Sequence, residues 1–173
     1  MLFRSWVKEM YEDLRRHSNL EDNHYSNLIA YYLYGRSFFL KEKPIVPEAK
    51  EAVSYYLNQA KRYWTGLDNR MGEGHTALGL MRFDDQQVPT EIMASLRERA
   101  LHDEELGMYW GDEEFAYWWY RAPIETQAMM IEAFYELGGQ EKEIEDLKVW
   151  LLKQKQTQDW KTNKATADAI YAL

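Results

Sequence analysis

Two kinds of helical segment alternate along this chain, and the alternation restricts the possible folds more than any other feature. One kind carries apolar residues at the i, i+3, i+4 and i+7 spacing of a single helix face, and the other is apolar nearly all round. The amphipathic segments are residues 2–16, 47–64, 90–100 and 141–155, and the apolar ones are residues 26–40, 74–83, 124–137 and 164–173. Because an all-round apolar helix must be buried, the order predicts inner apolar helices covered by outer amphipathic ones.

Composition favours helices over strands. Leu and Ala number 18 and 15, whereas the β-branched Val and Ile number only 5 and 7. Helices prefer the first pair and strands the second. We therefore expect an all-α chain with a single domain over residues 1–173. Within it, Pro47 suits a first helical turn and Thr90 suits an N-cap.

Charge and cysteine content exclude several functions. The net charge is −8, which is poorly matched to a polyanion, so nucleic acid is not an expected partner. No apolar run reaches the roughly 18 residues that a transmembrane helix needs, and insertion into a membrane is not expected. The chain has no cysteine, which removes disulfides, thiolate nucleophiles, thiolate-bound zinc and any cysteine-based thioester.

Hydroxyl residues near the starts of the apolar segments suggest an internal repeat. Ser26, Thr76, Thr126 and Thr166 are separated by 50, 50 and 40 residues. A helical-hairpin repeat predicts that all four lie at the same end of successive inner helices and satisfy backbone groups of the first turn. The alternative is four independent buried helices, because Ser and Thr are common near helix starts.

Residues 102–123 fit neither kind of helix. They combine six acidic residues with many large aromatic ones and show no period, which indicates an insertion or long loop between an outer and an inner helix. Its aromatic side chains either pack the loop against the core, which we favour, or form a surface that stacks on sugar or peptide. The candidate binding residues are Trp110, Trp118, Trp119 and Tyr120.

The polar residues form no catalytic constellation, and we predict no cofactor and no metal site. None of the four histidines, His17, His24, His75 and His102, has the spacing of a metal ligand pair. His24 and His75 each precede or open an apolar helix, where a histidine can face a central cavity but more often caps the helix or packs against it. Asp84 and Asp85 are expected in a turn at a helix end, and residues 72–74 are too short to be a phosphate loop.

Several segments resemble the thioester-domain region of alpha-2-macroglobulins and complement components, and bacterial alpha-macroglobulins most of all. The resemblance implies an α/α toroid of inner and outer helices, and it extends more distantly to terpenoid cyclases and prenyltransferases. The segment Gln154-x3-Gln158-x-Trp160 is similar to the Gln-x3-Gly-x-Trp motif of the cyclases, with Gln158 in place of the glycine. The segments are GMYW at residues 107–110, IETQA at 124–128, WLLKQKQ at 150–156 and KATADAIYAL at 164–173.

The resemblance implies a non-enzymatic part of a bacterial protease trap. Such a trap is an endopeptidase inhibitor that is secreted or located in the periplasm, and a lipid anchor on the parent is compatible with either location. Its expected partners are proteases, reached through the full-length parent, and the parent's other domains. The family's thioester cannot be assigned here, and His24 is the nearest counterpart of the histidine that tunes it. The resemblance also implies a partial toroid of about eight helices, trimmed at both ends. The alternative function is an α/α-barrel enzyme of the cyclase or glycan-processing type.

A partial toroid leaves apolar surface uncovered on the last helix. The residues affected are Ala165, Ala169, Ile170, Ala172 and Leu173. Because burying apolar surface is favourable, we expect the chain either to self-associate through this edge or to leave the helix frayed.

Overall fold

The structure, a computed structural model, describes residues 2–111, 122–158, 160 and 162–173. These residues form eight α-helices, two short 3-10 helices at Pro47–Ala49 and Trp64–Leu67, and one β-hairpin of strands β1 (Leu101–Asp103) and β2 (Gly107–Tyr109). The all-α class predicted from composition is confirmed. The helices are α1 (Leu2–His17), α2 (Asn27–Ser37), α3 (Lys50–Tyr63), α4 (Arg70–Arg82), α5 (Gln87–Glu98), α6 (Pro123–Glu136), α7 (Glu141–Gln158) and α8 (Asn163–Ala172).

The even-numbered helices pack against one another in chain order. Helix α2 lies on α4, α4 on α6, and α6 on α8, so the four form one row. The odd-numbered helices pack on that row or on each other: α3 contacts α2 and α4, α5 contacts α4, α7 contacts α6, and α1 contacts α3. The two kinds of segment seen in the sequence therefore occupy different positions in the fold.

Two glycines allow α4 to lie close to both of its neighbours in the row. A Cβ at Gly79 would lie 3.3 Å from the backbone nitrogen of Tyr34 in α2. On the other side, a Cβ at Gly74 would lie 2.8 Å from Cγ of Met129 in α6. The bare backbone at these positions removes the volume that would hold the helices apart.

The core lies between the even row and the odd-numbered helices. Helices of both kinds contribute side chains with almost no solvent exposure. The largest of them are Ile29, Leu33, Leu78, Leu80, Met130 and Phe134 from the even row and Tyr56, Ile92, Leu96, Leu147 and Leu151 from the odd-numbered helices.

The apolar segments are not all buried to the same degree. Residues 26–40 and 164–173 were expected to be buried all round, but Leu28 and Tyr31 are about half exposed, and Ile170 and Tyr171 are 65% and 69% exposed. Position explains this, because α2 and α8 lie at the two ends of the row and each has a row neighbour on one side only. In addition, Leu28, Tyr31 and Tyr171 border an open cavity along the row. Helices α4 and α6 have neighbours on both sides and are buried over most of their length.

Residues 102–123 begin as a β-hairpin rather than as a loop, which corrects the sequence prediction. Leu101 pairs with Tyr109 and His102 with Met108. The carboxylate of Asp103 accepts hydrogen bonds from the backbone N–H groups of Glu105 and Leu106, both at 2.8 Å, and Gly107 has a φ of +78°. An aspartate at the start and a left-handed glycine at the end are typical of a tight turn. The strands span three residues each, too few to show a period.

The proposed repeat of hydroxyl residues is wrong in its detail. Ser26 does cap α2, and its Oγ accepts from the N–H of Ile29 at 3.4 Å. Thr76 instead lies in the middle of α4, which begins after Asn69, and its hydroxyl donates to the carbonyl of Gly72 at 2.6 Å. Thr166 likewise lies inside α8 and donates to a carbonyl four residues earlier. Ser and Thr are used both at caps and inside helices, so their spacing does not fix a common position.

Helix α5 also begins differently from its prediction. Thr90 is not its N-cap, because its hydroxyl donates to the carbonyl of Gln86 inside the helix at 2.7 Å. The N-cap residue is Gln86, and the side chain of Asp85 just before it accepts the first-turn N–H of Val88 at 3.1 Å. The helix therefore begins one turn earlier than Thr90 suggested.

Helix α8 provides a direct test of which threonine caps it. Thr162 precedes the helix, and its Oγ1 accepts the N–H of Ala165 at 3.0 Å. We expect Thr162→Ala to lower the free energy of unfolding by about 1 kcal/mol and to speed amide exchange in α8, because a first-turn N–H loses its acceptor. Urea denaturation and hydrogen exchange measure the two effects. Thr166→Ala is the matched control, and an equal or larger loss in that variant would contradict the assignment.

Candidate ligand cavity on the even row

A cavity of about 480 Å³ lies along the even row, and all four of its helices line it. Among the described residues, none from an odd-numbered helix lines the cavity, which opens on the side of the row away from those helices. Its apolar wall consists of Leu28, Tyr31, Tyr34, Met71, Ala128, Met129 and Tyr171, and its polar wall of His75, Glu125, Glu132, Lys164 and Asp168.

Helical spacing brings these residues to the cavity. The four lining residues of α6 are Glu125, Ala128, Met129 and Glu132, which follow the i, i+3, i+4, i+7 pattern of one helix face. Helix α8 repeats this spacing in part, with residues 164, 168 and 171. Each helix of the row therefore turns one stripe of side chains towards the same space.

His75 is the buried polar residue of the cavity wall. Its side chain is 3% exposed, and its Nδ1 has no hydrogen-bond partner among the described residues. The ring lies beside Tyr34 and Tyr31, with centroid separations of 4.7 and 5.2 Å. Burial, with a smaller effect from the charge of Lys164, lowers the pKa of His75 to about 3. The imidazole is therefore neutral near pH 7 and can accept a hydrogen bond.

Arg82 joins three helices at one edge of the cavity. Its guanidinium forms ion pairs with Glu132 at 2.7 Å and Glu136 at 2.5 Å, both in α6. The hydroxyl of Tyr34 in α2 donates to the same Glu132 at 2.8 Å. The guanidinium also lies 4.2 Å from the ring centre of Phe38, just beyond α2. These contacts balance the charge of the buried Glu132 and hold α2, α4 and α6 together.

The remaining charges of the cavity do not cancel. Lys164 pairs with Asp168 on α8 at 2.5 Å, in addition to the Arg82 pairing of Glu132. Glu125 is half-buried in the first turn of α6 and forms no ion pair with any residue in the described part of the chain. The cavity therefore carries one carboxylate whose charge no nearby side chain balances.

Of the two histidines expected to face a cavity, only His75 lines this one. His24 packs against α3 instead, where its Nδ1 lies 2.6 Å from the hydroxyl of Tyr55 and its backbone N–H donates to Gln59. The loop before α2 is fixed to α3 by these bonds, which turns the His24 ring away from the row. His17 and His102 are exposed.

The aromatic binding surface predicted around residue 110 is placed only in part. Trp110 is 6% exposed, its Nε1 donates to the carbonyl of Leu96 at 3.1 Å, and its ring packs on Phe134. It belongs to the core and presents no face to a ligand, which corrects its assignment as a binding residue. Trp118, Trp119 and Tyr120 lie outside the described residues, and their role stays a prediction.

The other polar features of the sequence have structural roles. Asp84 adopts a φ of +68° in the turn after α4, and Asp85 accepts a first-turn N–H of α5 while pairing with Lys61 at 2.7 Å. Burial works to raise the pKa of Asp85, but the Lys61 ammonium and the Val88 N–H hold it below its usual value. Glu73, in the glycine-flanked segment, pairs with Arg99 at 2.5 Å.

Comparisons of this chain with protein-family models, with curated proteins and with solved structures give no match. Among the described residues, no three histidine or acidic side chains are grouped closely enough to hold a metal ion. No described helix combines the length and the apolar character needed to cross a membrane. Functional inference therefore depends on the packing of the helices and on the chemistry of the cavity.

Proposed function

We propose that this chain is an arc of an α/α toroid and serves as a non-enzymatic helical domain of a bacterial alpha-2-macroglobulin-like protease trap. The observation that supports this is the packing order, in which α2, α4, α6 and α8 form a row with α3, α5 and α7 against it. An α/α toroid needs this arrangement of successive inner helices and their outer partners. The resemblance of residues 124–128 and 164–173 to the thioester-domain region of that family agrees with it.

The chemistry of the cavity favours a binding or structural role over catalysis. The carboxylates of Glu132 and Asp168 are each held in an ion pair, with Arg82 and with Lys164. His75 is neutral and has neither a nucleophile nor an orienting carboxylate hydrogen-bonded to it among the described residues.

The proposed partners follow from the ends of the row. Apolar side chains of α2 and α8 are exposed there, including Leu28, Ile170 and Tyr171. In a toroid, further inner helices and the parent's other domains cover such faces, and the domain moves as a rigid body when the trap closes on a protease. The proposed location is the periplasm or the outside of the cell.

A trap assay on the full reading frame that contains this chain tests the proposal. A protease held in a trap is shielded from large substrates but remains open to small ones. We expect a protease mixed with the protein to lose activity on a protein substrate and to keep it on a short peptide substrate. Unchanged cleavage of both substrates would refute the trap, and heat-denatured protein is the control.

A second assay separates the trap from the α/α-barrel enzyme. The purified 173-residue chain is incubated with isoprenoid diphosphates and with oligosaccharides. The proposal predicts no turnover of either class. Measurable turnover that is lost on substitution of a cavity residue such as Glu125 would establish the enzyme instead.

Self-association of the isolated chain is a further expectation. Ile170 and Tyr171 are mostly exposed, and burying such surface contributes about 25 cal/mol per Å². Light scattering after gel filtration should show a mass that rises with concentration, and Ile170→Glu should shift the chain towards the monomer. Val149→Glu, at an exposed apolar position of α7, is the matched control. A monomer at every concentration would contradict the expectation.

A further inference from the structure

We propose that the cavity on the even row binds a small organic amine, a protonated ammonium group carried on a flat apolar body. This inference goes beyond the proposed function and does not depend on it, because it is drawn from the lining residues alone. Three observations support it: an unbalanced carboxylate, a neutral imidazole that adds no positive charge to the wall, and an aromatic wall.

The unbalanced carboxylate is Glu125. Its two neighbours in the cavity already have cations, since Glu132 has Arg82 and Asp168 has Lys164. Glu125 is partly buried, yet it forms no ion pair within the described ranges. A partly desolvated carboxylate is stabilised by a cation that donates hydrogen bonds to it, and an ammonium group does both.

The imidazole of His75 contributes to the cavity by its lack of charge. Burial keeps the ring neutral near pH 7, so it adds no positive charge to the wall. Its Nδ1 has no hydrogen-bond partner among the described residues, but that atom is itself buried from solvent. An ammonium has donors only, so the acceptor it complements here is the carboxylate of Glu125.

The apolar wall selects the body of the ligand. Tyr31, Tyr34 and Tyr171 present aromatic rings, and a cation near such a ring is attracted by its electrons. Met71 and Met129 add flexible thioether side chains that adapt to a flat group. The volume of about 480 Å³ falls within the range of small-molecule sites and is far too small for a folded partner.

Calorimetric titration of the full chain with four matched probes tests the proposal. The probes are 2-phenylethylamine, its neutral analogue 2-phenylethanol, its anionic analogue phenylacetate, and Nα-acetyl-lysine amide as a stand-in for a protein lysine. We expect the amine to bind with a Kd below about 1 mM and the alcohol and acid to bind about tenfold more weakly or not at all. Equal binding of the three phenyl compounds, no binding of the amine, or binding of the lysine compound alone would each overturn the proposal.

Two substitutions locate the site. Glu125→Gln keeps the shape of the side chain but removes its charge, and it should weaken amine binding by about tenfold or more. Glu91→Gln is the matched control, because Glu91 is exposed on α5, away from the cavity. Tyr171 is 69% exposed, so Tyr171→Ala removes little core packing, and it should weaken binding of the amine and of the alcohol alike. Unchanged amine affinity in Glu125→Gln, with native circular dichroism, would refute the role of Glu125.

Discussion

Replacement of Arg82 by methionine should lower the free energy of unfolding by about 3–5 kcal/mol, the largest loss we expect from a single polar residue. The guanidinium is the cation paired with Glu132, whose side chain is only 8% exposed, and it also holds Glu136. Methionine keeps much of the side-chain length and the contact with Phe38 but leaves Glu132 buried without a cation. Urea denaturation monitored by circular dichroism measures the loss.

Two further variants separate this charge effect from lost packing. Adding Glu132→Gln to Arg82→Met should restore part of the stability, because the buried group is then neutral and still accepts from Tyr34. Arg62→Met breaks a comparable ion pair at the surface, in which the side chains of Arg62 and Glu21 are 61% and 82% exposed. This variant should lower the free energy of unfolding by less than about 1 kcal/mol. The explanation fails if Arg82→Met and Arg62→Met cost the same.

The row of helices was predictable because burial leaves a clear mark in α4 and α6. Each of these helices has a neighbouring helix on both sides within the row, and an odd-numbered helix packs on it as well. Apolar residues are therefore needed all round the helix. The sequence of α2 and α8 looks the same, yet their outer sides are exposed. An apolar pattern indicates that a helix face is buried in the assembled protein, but it does not indicate which element covers that face.

The exact helix starts were harder to predict because side chains compete for the same backbone groups. Thr90 was a plausible cap by residue type, but Asp85 is the side chain that bonds the first-turn N–H. Threonine and aspartate both cap helices, and the choice depends on where the preceding turn directs the chain. The hairpin was not predicted for another reason. Its strands are three residues long, which is too short for an alternation of apolar and polar residues to be detected.

Of the polar residues that line the cavity, one could be singled out from the sequence and the others could not. His75 stands out as a polar residue within an apolar segment, and the structure places it in the cavity wall. Glu125 and Asp168 also interrupt apolar segments, but acidic residues near helix starts and on open faces are ordinary. Their convergence depends on the rotation of three helices about their axes, which no single segment specifies. Polar exceptions that share an i, i+4, i+7 face would have been the signal to follow.

Between pH 6.5 and pH 5, the chain should lose about 2 kcal/mol of unfolding free energy through His75 alone. Burial lowers the folded pKa of His75 to about 3 from its ordinary 6.5. Between these values the unfolded chain takes up a proton that the folded chain cannot, so acidification favours unfolding. Tyr31 and Tyr34 of α2 lie against the ring. The other charged and titratable groups that line the same cavity are Lys164, Asp168 and Tyr171 on α8 and Glu125 and Glu132 on α6.

The comparison that isolates this effect is His75→Phe, which preserves an aromatic ring between Tyr31 and Tyr34 and cannot be protonated. Urea unfolding at pH 7, 6.5, 6, 5.5 and 5 should give a difference between the two proteins that changes more steeply as the pH falls below 6.5, with a slope that approaches about 1.4 kcal/mol per pH unit near pH 5. The other histidines contribute equally to both proteins, so they cancel in that difference. Burial works to raise the pKa values of Asp85 and Glu143, but salt bridges and backbone N–H groups hold both values low. These two carboxylates therefore lose their stabilising effect only at lower pH. A difference that stays constant from pH 7 to pH 5 would mean that the folded protein protonates His75 as readily as the unfolded chain does. The assignment of a neutral His75 imidazole to the cavity wall would then have to be withdrawn.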